Sequence, residues 1–271
     1  MPGQDEIPDG FEAVTDFVEE NLAFATSHYN DSYLQRRIRS RMRRTGTDGY
    51  REYLQHLRDA DEEGDKLLEA LSINVTGFFR NSAVWDGIRD ALRMLTDNRR
   101  TVRVWSAACA DGREPYSLAM LALDDPRIDA SKLSIRGTDI NDRALAHARE
   151  AVYESNHTSD LDEQLQYLDE YEAYVDRDGE QFAVADRVTD MVTFERHDII
   201  RDPVDRQYEL VLCRNLFIYI DAEYKQPVID SVRETLVDGG YLVIGKAETI
   251  PREVSDAFEV VDSKKRIYRR A

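Results

Sequence analysis

Four short segments of this sequence hold residue types that could bind a ligand. In Ser106-Ala107-Ala108-Cys109-Ala110-Asp111-Gly112-Arg113-Glu114-Pro115-Tyr116-Ser117, small side chains run into a helix start, where a ligand can approach the backbone and meet free amides. Gly112 is its only glycine, so it is no G-x-G-x-x-G; a nucleoside suits it better than a pyrophosphate, and an ordinary tight turn is the plain alternative. Asp139 closes the next predicted strand, where a carboxylate can accept both hydroxyls of a ribose; it or Asn141 could instead cap a helix. Asn74-Val75-Thr76-Gly77-Phe78-Phe79-Arg80 suits a linker that covers a ligand, and its two Phe equally suit an interdomain core. In Cys213-Arg214-Asn215-Leu216-Phe217-Ile218-Tyr219-Ile220-Asp221, Arg214 and Asn215 end an apolar strand, at the edge where parallel sheets hold their ligands. A buried ion pair or a cap would also account for them.

The elements that must position these residues follow from periodicity. Before Thr101 the apolar residues recur at helical spacing. Phe11, Val14, Val18 and Leu22 follow a candidate cap at Asp9; Leu34, Ile38 and Met42 follow one at Asp31, with Gly46 as a stop. Asp48 could open a third helix, and Ser82 a longer one through Leu95. From Val102 the pattern changes to strands alternating with helices, which predicts a doubly wound parallel sheet. The closing pair Phe258–Val261 and Ile267–Arg269 predicts an antiparallel strand at or near an edge. A helix is expected to end near Gly239-Gly240, and to start or bend at Pro227. The stretch from about 151 to 190 is too long for a crossover and contains a hairpin pattern, Tyr171–Val175 and Gln181–Ala185, so it reads as an insertion. The expected division is a helical unit with linker over 1–80 and a sheet domain over 81–271.

Composition narrows the function classes. The 271 residues carry a formal charge of −18 and a pI near 4.7, which argues against a nucleic-acid partner. Only six of the 36 basic residues are Lys, a balance expected of a protein kept soluble in concentrated salt and equally of an ordinary acidic cytosolic one. Two cysteines offer no disulfide framework and no zinc set. No apolar run reaches membrane-spanning length, and the acidic start reads as no signal peptide. The expected location is the cytoplasm.

Taken in order, the four segments resemble one family, the CheR chemotaxis receptor methyltransferases. The resemblance runs through Asn74-x-Thr76-x-Phe78-Phe79-Arg80, Trp105-Ser106-Ala107-Ala108 through Gly112-x-Glu114-Pro115-Tyr116-Ser117, Asp139-Ile140, and Cys213-Arg214-Asn215 with Ile218-Tyr219. It implies a class I S-adenosylmethionine-dependent methyltransferase fold, with an N-terminal helical domain and a small inserted β-subdomain. It implies S-adenosylmethionine as cofactor, S-adenosylhomocysteine as product, and methyl transfer to glutamates of chemoreceptors. By position, Asn74, Thr76, Arg80, Glu114, Asp139, Arg214 and Asn215 would surround the cofactor. Asp198 and Ile199 would stand beside adenine, where the family pattern has Asn-Leu. Lys246-Ala247-Glu248 stands where many members read His-Ser-Glu. A binding module without turnover and an NAD-dependent dehydrogenase are the other readings, the second opposed by the missing glycine fingerprint.

The implied chemistry needs no general base, because a glutamate side chain, which ordinarily titrates at about 4.3, is already ionised at neutral pH. Arg80 is the candidate for orienting the methionyl carboxylate, and Tyr219 for walling the transfer site. Arg36, Arg37, Arg39, Arg41, Arg43 and Arg44 crowd one helix of an acidic chain. A solvated face would explain them, but acidic receptor helices are the implied substrate, so docking is the expectation. No metal, no membrane insertion and a monomeric state complete it.

Overall fold

A computed structural model describes residues 9–22, 24–60, 62–72, 76–157, 159–204 and 206–271 of the protein. Two units emerge, Met1–Ile73 with Tyr219–Tyr224, and Asn74–Ile218 with Lys225–Ala271. Among the described residues no helix is long and apolar enough to cross a membrane.

The first unit is built on α1 (Phe11–Asn21), α2 (Asp31–Thr45), α3 (Tyr50–Asp59) and α4 (Glu63–Leu71). Each buries one apolar stripe, as residues three and four apart share a helix face: Phe11, Val14 and Val18; Leu34, Ile38 and Met42; Tyr50, Tyr53 and Leu57; Leu67 and Leu71. Helix α1 packs on α3, and α2 on α4. Gly46, left-handed at φ 72°, closes α2, the conformation in which a helix end favours glycine. The expected acidic caps do not form. Asp9 pairs with Arg51 at 2.9 Å, Asp31 is already helical, and α3 begins behind Gly49 while Glu52 takes the Asp48 N–H.

A buried ion pair ties α2 to α4. Arg41 donates to both oxygens of Glu63 at 3.0 and 2.7 Å, and the Tyr53 hydroxyl donates to the same carboxylate at 2.7 Å. Burial would raise the Glu63 carboxyl, but the bonds from Arg41 and Tyr53 overcome it and hold the group below its usual range. The Tyr219–Tyr224 segment completes this unit. Ile220 bridges Tyr29 antiparallel, the Asn30 N–H donates to the Tyr219 carbonyl, and the Asp221 N–H to the His28 carbonyl, both at 3.0 Å.

The second unit follows with α5 (Ala83–Asn98), β1 (Val102–Ala107), α6 (Arg113–Asp124), β2 (Leu133–Asp139) and α7 (Asp142–Glu150). An inserted stretch holds β3 (Val152–Glu154), α8 (Leu161–Leu165), β4 (Val175–Asp178), β5 (Gln181–Val184) and α9 (Asp186–Thr189). The chain continues through β6 (Val192–Arg196), β7 (Tyr208–Cys213), α10 (Ala222–Thr235), β8 (Leu236–Ile244), α11 (Arg252–Ser255), β9 (Phe258–Asp262) and β10 (Ile267–Arg270). The main sheet has the order β6-β2-β1-β7-β8-β10-β9. Its strands run parallel except β10, which lies antiparallel to both β8 and β9. Every residue of β7 is buried, as befits a central strand covered on both faces.

The insertion is a separate three-stranded sheet, β3-β5-β4. Its hairpin is shifted from the expected register: Asp176–Asp178 pair as strand, and the reversal falls at Gly179, φ 60°. Near the C-terminus, α10 begins at Ala222 and carries Pro227 inside it. It ends before the glycines, because β8 starts at Leu236; the register shift between Tyr208 and Leu210 accommodates Val237–Gly240.

Glu63→Ala is expected to lower the free energy of urea unfolding by about 3 kcal/mol, since it strands Arg41 in a buried position without its counter-charge. The Glu63 pKa falls on folding, so its contribution is complete above the unfolded value of about 4.3 and fades as pH drops through the folded one. Comparing Glu63→Gln with the parent between pH 7 and 2.5 should show the difference holding down to about pH 4.3 and shrinking below it.

Candidate functional site

Because β1, β2, β6 and β7 run parallel, their carboxyl ends meet at one edge of the sheet. The turn leaving β1 is the most constrained segment there. Ala108, Ala110 and Gly112 are all left-handed, at φ 55°, 51° and 87°. For each alanine that conformation costs about 1 kcal/mol, and hydrogen bonds hold it. The Cys109 N–H donates to the Thr138 carbonyl at 2.8 Å, and the Ala110 N–H to Asp139 Oδ2 at 2.8 Å. Gly112 is required twice over, by its φ and because a Cβ there would meet the Ala148 Cβ at 2.8 Å and the Phe194 ring at 2.9 Å.

Asp139 is buried and spans two segments. Besides Ala110 it accepts the Asn141 N–H at 2.9 Å through Oδ1. The helix-capping role falls to Asn141, whose side chain accepts from the Arg143 and Ala144 amides. Burial pushes the Asp139 carboxyl above its usual range, against the pull of its backbone N–H partners. The end of β6 is fastened to the same strand, as the His197 N–H donates to the Asp139 carbonyl at 3.0 Å. Next to it, Asp198 accepts the Ile200 N–H at 2.9 Å through Oδ1. Its other oxygen, Oδ2, is buried and has no partner among the described residues. Ile199 is buried as well.

Arg214, at the end of β7, has a side chain only 2% exposed. It donates to Glu114 Oε2 at 2.9 Å, to the Arg80 carbonyl at 2.9 Å and to Asn81 Oδ1 at 3.2 Å, and lies over the Trp85 ring. Glu114 accepts Ser106 Oγ at 2.9 Å with its second oxygen. The structure therefore brings Arg80, Glu114 and Arg214 together, while on the other side of β1 Asp139 ends β2 and Asp198 lies in the loop after β6. The linker is anchored by the Phe78 N–H to Gln164 Oε1 at 2.9 Å and the Phe79 N–H to Ser117 Oγ at 3.0 Å. Thr76 is half-buried at the start of that described stretch, and Asn74 lies outside the described residues.

Asn215 is left-handed at φ 63°, and Glu248 holds it there. That buried carboxylate accepts the N–H groups of Gly245, Asn215 and Ile218. Gly245 is needed for this closeness: a Cβ would meet Glu248 Oε2 at 2.6 Å and the Asn215 N at 2.8 Å. Burial raises the Glu248 carboxyl, opposed by these amides. Sequence reasoning noted Glu248 without giving it this task; the glycine three residues before a carboxylate was its only signal.

The remaining candidates belong to the helical unit. The Tyr219 ring packs against Tyr33 at 4.7 Å. On α2, Arg36, Arg39, Arg43 and Arg44 are exposed. Arg37 and Arg36 lie over the Tyr33 ring at 5.3 and 5.6 Å, and Arg39 donates to the Tyr50 hydroxyl. Arg41 is committed to Glu63, which sets it apart from the other five.

Comparison with known families adds an independent line. Residues 74–267 match the CheR methyltransferase SAM binding domain, and residues 9–72 the CheR methyltransferase all-alpha domain. The chain is 32% identical over 238 residues to a chemotaxis protein methyltransferase of Listeria monocytogenes, covering 87% of this chain and 88% of that one. It is 27% identical over 248 residues to the chemotaxis protein methyltransferase of Borreliella burgdorferi, covering 86% and 85%.

Glu248→Gln turns one acceptor of three backbone amides into a donor. It is expected to cost about 2 kcal/mol in denaturant unfolding, with faster hydrogen exchange at Asn215 and Ile218 as the local signature.

Proposed function

Because this chain belongs to the CheR methyltransferase family, we propose that it transfers methyl groups from S-adenosylmethionine to glutamate side chains on chemoreceptor cytoplasmic helices, leaving methyl esters and S-adenosylhomocysteine. The observation that supports this reading best is the pair of buried carboxylates at the ligand edge of the matched domain: Asp139, and Asp198 with its unpartnered oxygen. A buried acceptor without a donor fits a ligand that brings one, and adenine carries an amino group. The cofactor supplies a methyl group on a sulfonium centre, the electrophile that a carboxylate can attack.

The chain's own residues then bind and orient. After two backbone amides, the Asp139 carboxylate retains lone pairs for the ribose hydroxyls. Asp198 Oδ2 takes the adenine amino group, with Ile199 as an apolar neighbour. Arg80 orients the methionyl carboxylate, in a linker that also carries Asn74 and Thr76. Glu114, Arg214 and Asn215 fix the inner wall, Arg214 acting through Glu114 and the Arg80 carbonyl. The nucleophilic glutamate arrives ionised, so no base is assigned. Its charge disappears in the reaction together with the sulfonium charge, so exclusion of water favours the step.

Docking rests on the exposed arginines of α2, where direct Arg–carboxylate pairs supply the contact and Arg41 takes no part. The protein works on this reading as a cytoplasmic monomer without nucleic acid. If the interior is salty, screening to about 3 Å at 1 M leaves only such direct pairs effective.

Incubation with labelled S-adenosylmethionine and receptor-bearing membranes should yield base-labile methyl esters. Intact cofactor binding without transfer would assign a signalling module that lacks turnover. Arg36→Glu with Arg43→Glu should lower receptor methylation roughly three- to tenfold, at about 0.5 kcal/mol or more per exposed contact, and leave S-adenosylhomocysteine affinity unchanged. That affinity should itself fall on acidification. Ribose hydroxyls donate to the ionised carboxylate, so binding is lost as pH drops through the Asp139 pKa, which lies above the ordinary value of 3.8. Calorimetry carried from pH 8 down to 4 should show affinity falling toward acid, and Asp139→Asn should flatten that fall at weaker affinity.

A further inference from the structure

A cleft of about 810 Å³ opens in the second unit between the start of α5, the end of β8 and the turn joining β9 to β10. Its charge is opposite to that of the chain. Lys246, Lys264, Lys265 and Arg266 line it together with Arg214, against one carboxylate, Asp262. Three of the six lysines in a protein of net charge −18 therefore gather around one cavity.

The single acid does not neutralise them. Asp262 Oδ1 accepts the Lys264 and Lys265 amides of its own turn at 2.9 and 3.0 Å, and its carboxylate reaches only Lys265, at 3.7 Å. Among the described residues Lys246, Lys264 and Arg266 have no carboxylate partner; Arg266 Nε donates to the Lys246 carbonyl at 3.3 Å. Arg214 forms an inner wall, its side chain 2% exposed and its Nε without a partner among the described residues. The 16-residue helix α5 begins here, its Val84 and Trp85 amides already donating to the Asn81 and Ser82 carbonyls. Ser82 and Ser263 add hydroxyls to the lining, and Val84 and Ile244 give it an apolar part.

We propose that this cleft binds a soluble phosphate-bearing organic molecule, at a site that adjoins that of S-adenosylmethionine across Arg214 and can be filled together with it. Lysine ammonium groups and serine hydroxyls are the donors that suit a multiply charged, compact phosphate. The volume exceeds that of a lone phosphate and lies in the range of pockets for nucleotide-sized ligands, and the Val84 and Ile244 side chains give the organic part an apolar surface. A carboxylate ligand would use fewer of these donors, since each carries one charge where a phosphate ester carries nearly two. The site needs nothing from the methyl acceptor, so it stands whether or not receptor glutamates are the substrate.

The test uses the full chain saturated with S-adenosylhomocysteine, titrated calorimetrically with ATP and with inorganic pyrophosphate. Saturable ATP binding is expected, weakened at least about tenfold by Lys246→Glu with Lys264→Glu, each reversal replacing a charge-assisted contact with a repulsion. Both side chains are exposed, so the double variant should keep the parent's melting temperature and its S-adenosylhomocysteine affinity. Pyrophosphate should compete with ATP. The proposal is overturned if neither probe binds saturably or if the double variant binds ATP as the parent does. It is equally overturned if S-adenosylhomocysteine displaces ATP, or if an oligoglutamate peptide binds through these lysines while ATP does not.

Discussion

A guanidinium cannot shed its charge in a protein, and burying one obliges the surroundings to answer it. Arg214 is answered by three groups on two chain segments: Glu114 in the first turn of α6, and the Arg80 carbonyl and Asn81 side chain in the linker before α5. Those segments are 100 and more than 130 residues away in sequence. The linker, the helix after β1 and the end of β7 are therefore set by one group. Glu114 is in turn fixed by Ser106, within β1 itself. Whatever the ligand edge does, its inner wall has a single arrangement in which no charge is left uncompensated.

Buried carboxylates play the complementary part. Asp139 and Glu248 each accept backbone N–H groups from loops that follow different strands, and each is pushed toward a higher pKa by burial. Both hold left-handed residues in place, Ala110 and Asn215. The acidity of the sequence is thus partly internal. At these two positions a negative charge is a clamp on the main chain as well as a contribution to surface solubility.

Much of this was legible from residues alone, and the limits have physical causes. The order of strands and helices followed from periodicity, and the ligand edge from small residues and an acid at strand ends, because those signals are local. Ordered motifs carried the family and its cofactor. What the sequence could not display were partners far along the chain. Arg41 looked like one of six equivalent docking arginines until Glu63 took it up, and the Arg214–Glu114 pair remained one of several options. Caps at Asp9 and Asp48 failed because Arg51 and Glu52 offered competing bonds, and the one at Asp31 because α2 starts a residue early and takes Asp31 into its first turn. The Val237–Gly240 stretch reads as a helix end by composition, yet the pull of β7 draws Leu236 into the sheet.

The segment Tyr219–Tyr224 bears on the order of events in biosynthesis. The helical unit occupies the beginning of the chain, but its hydrogen-bonded partner to Tyr29 and Asn30 is translated almost two hundred residues later. A ribosome has made four of the seven strands of the main sheet by then. The first unit to emerge therefore waits for most of the second to be synthesised, and a fragment ending at Ile73 would lack the segment that pairs with Tyr29 and Asn30.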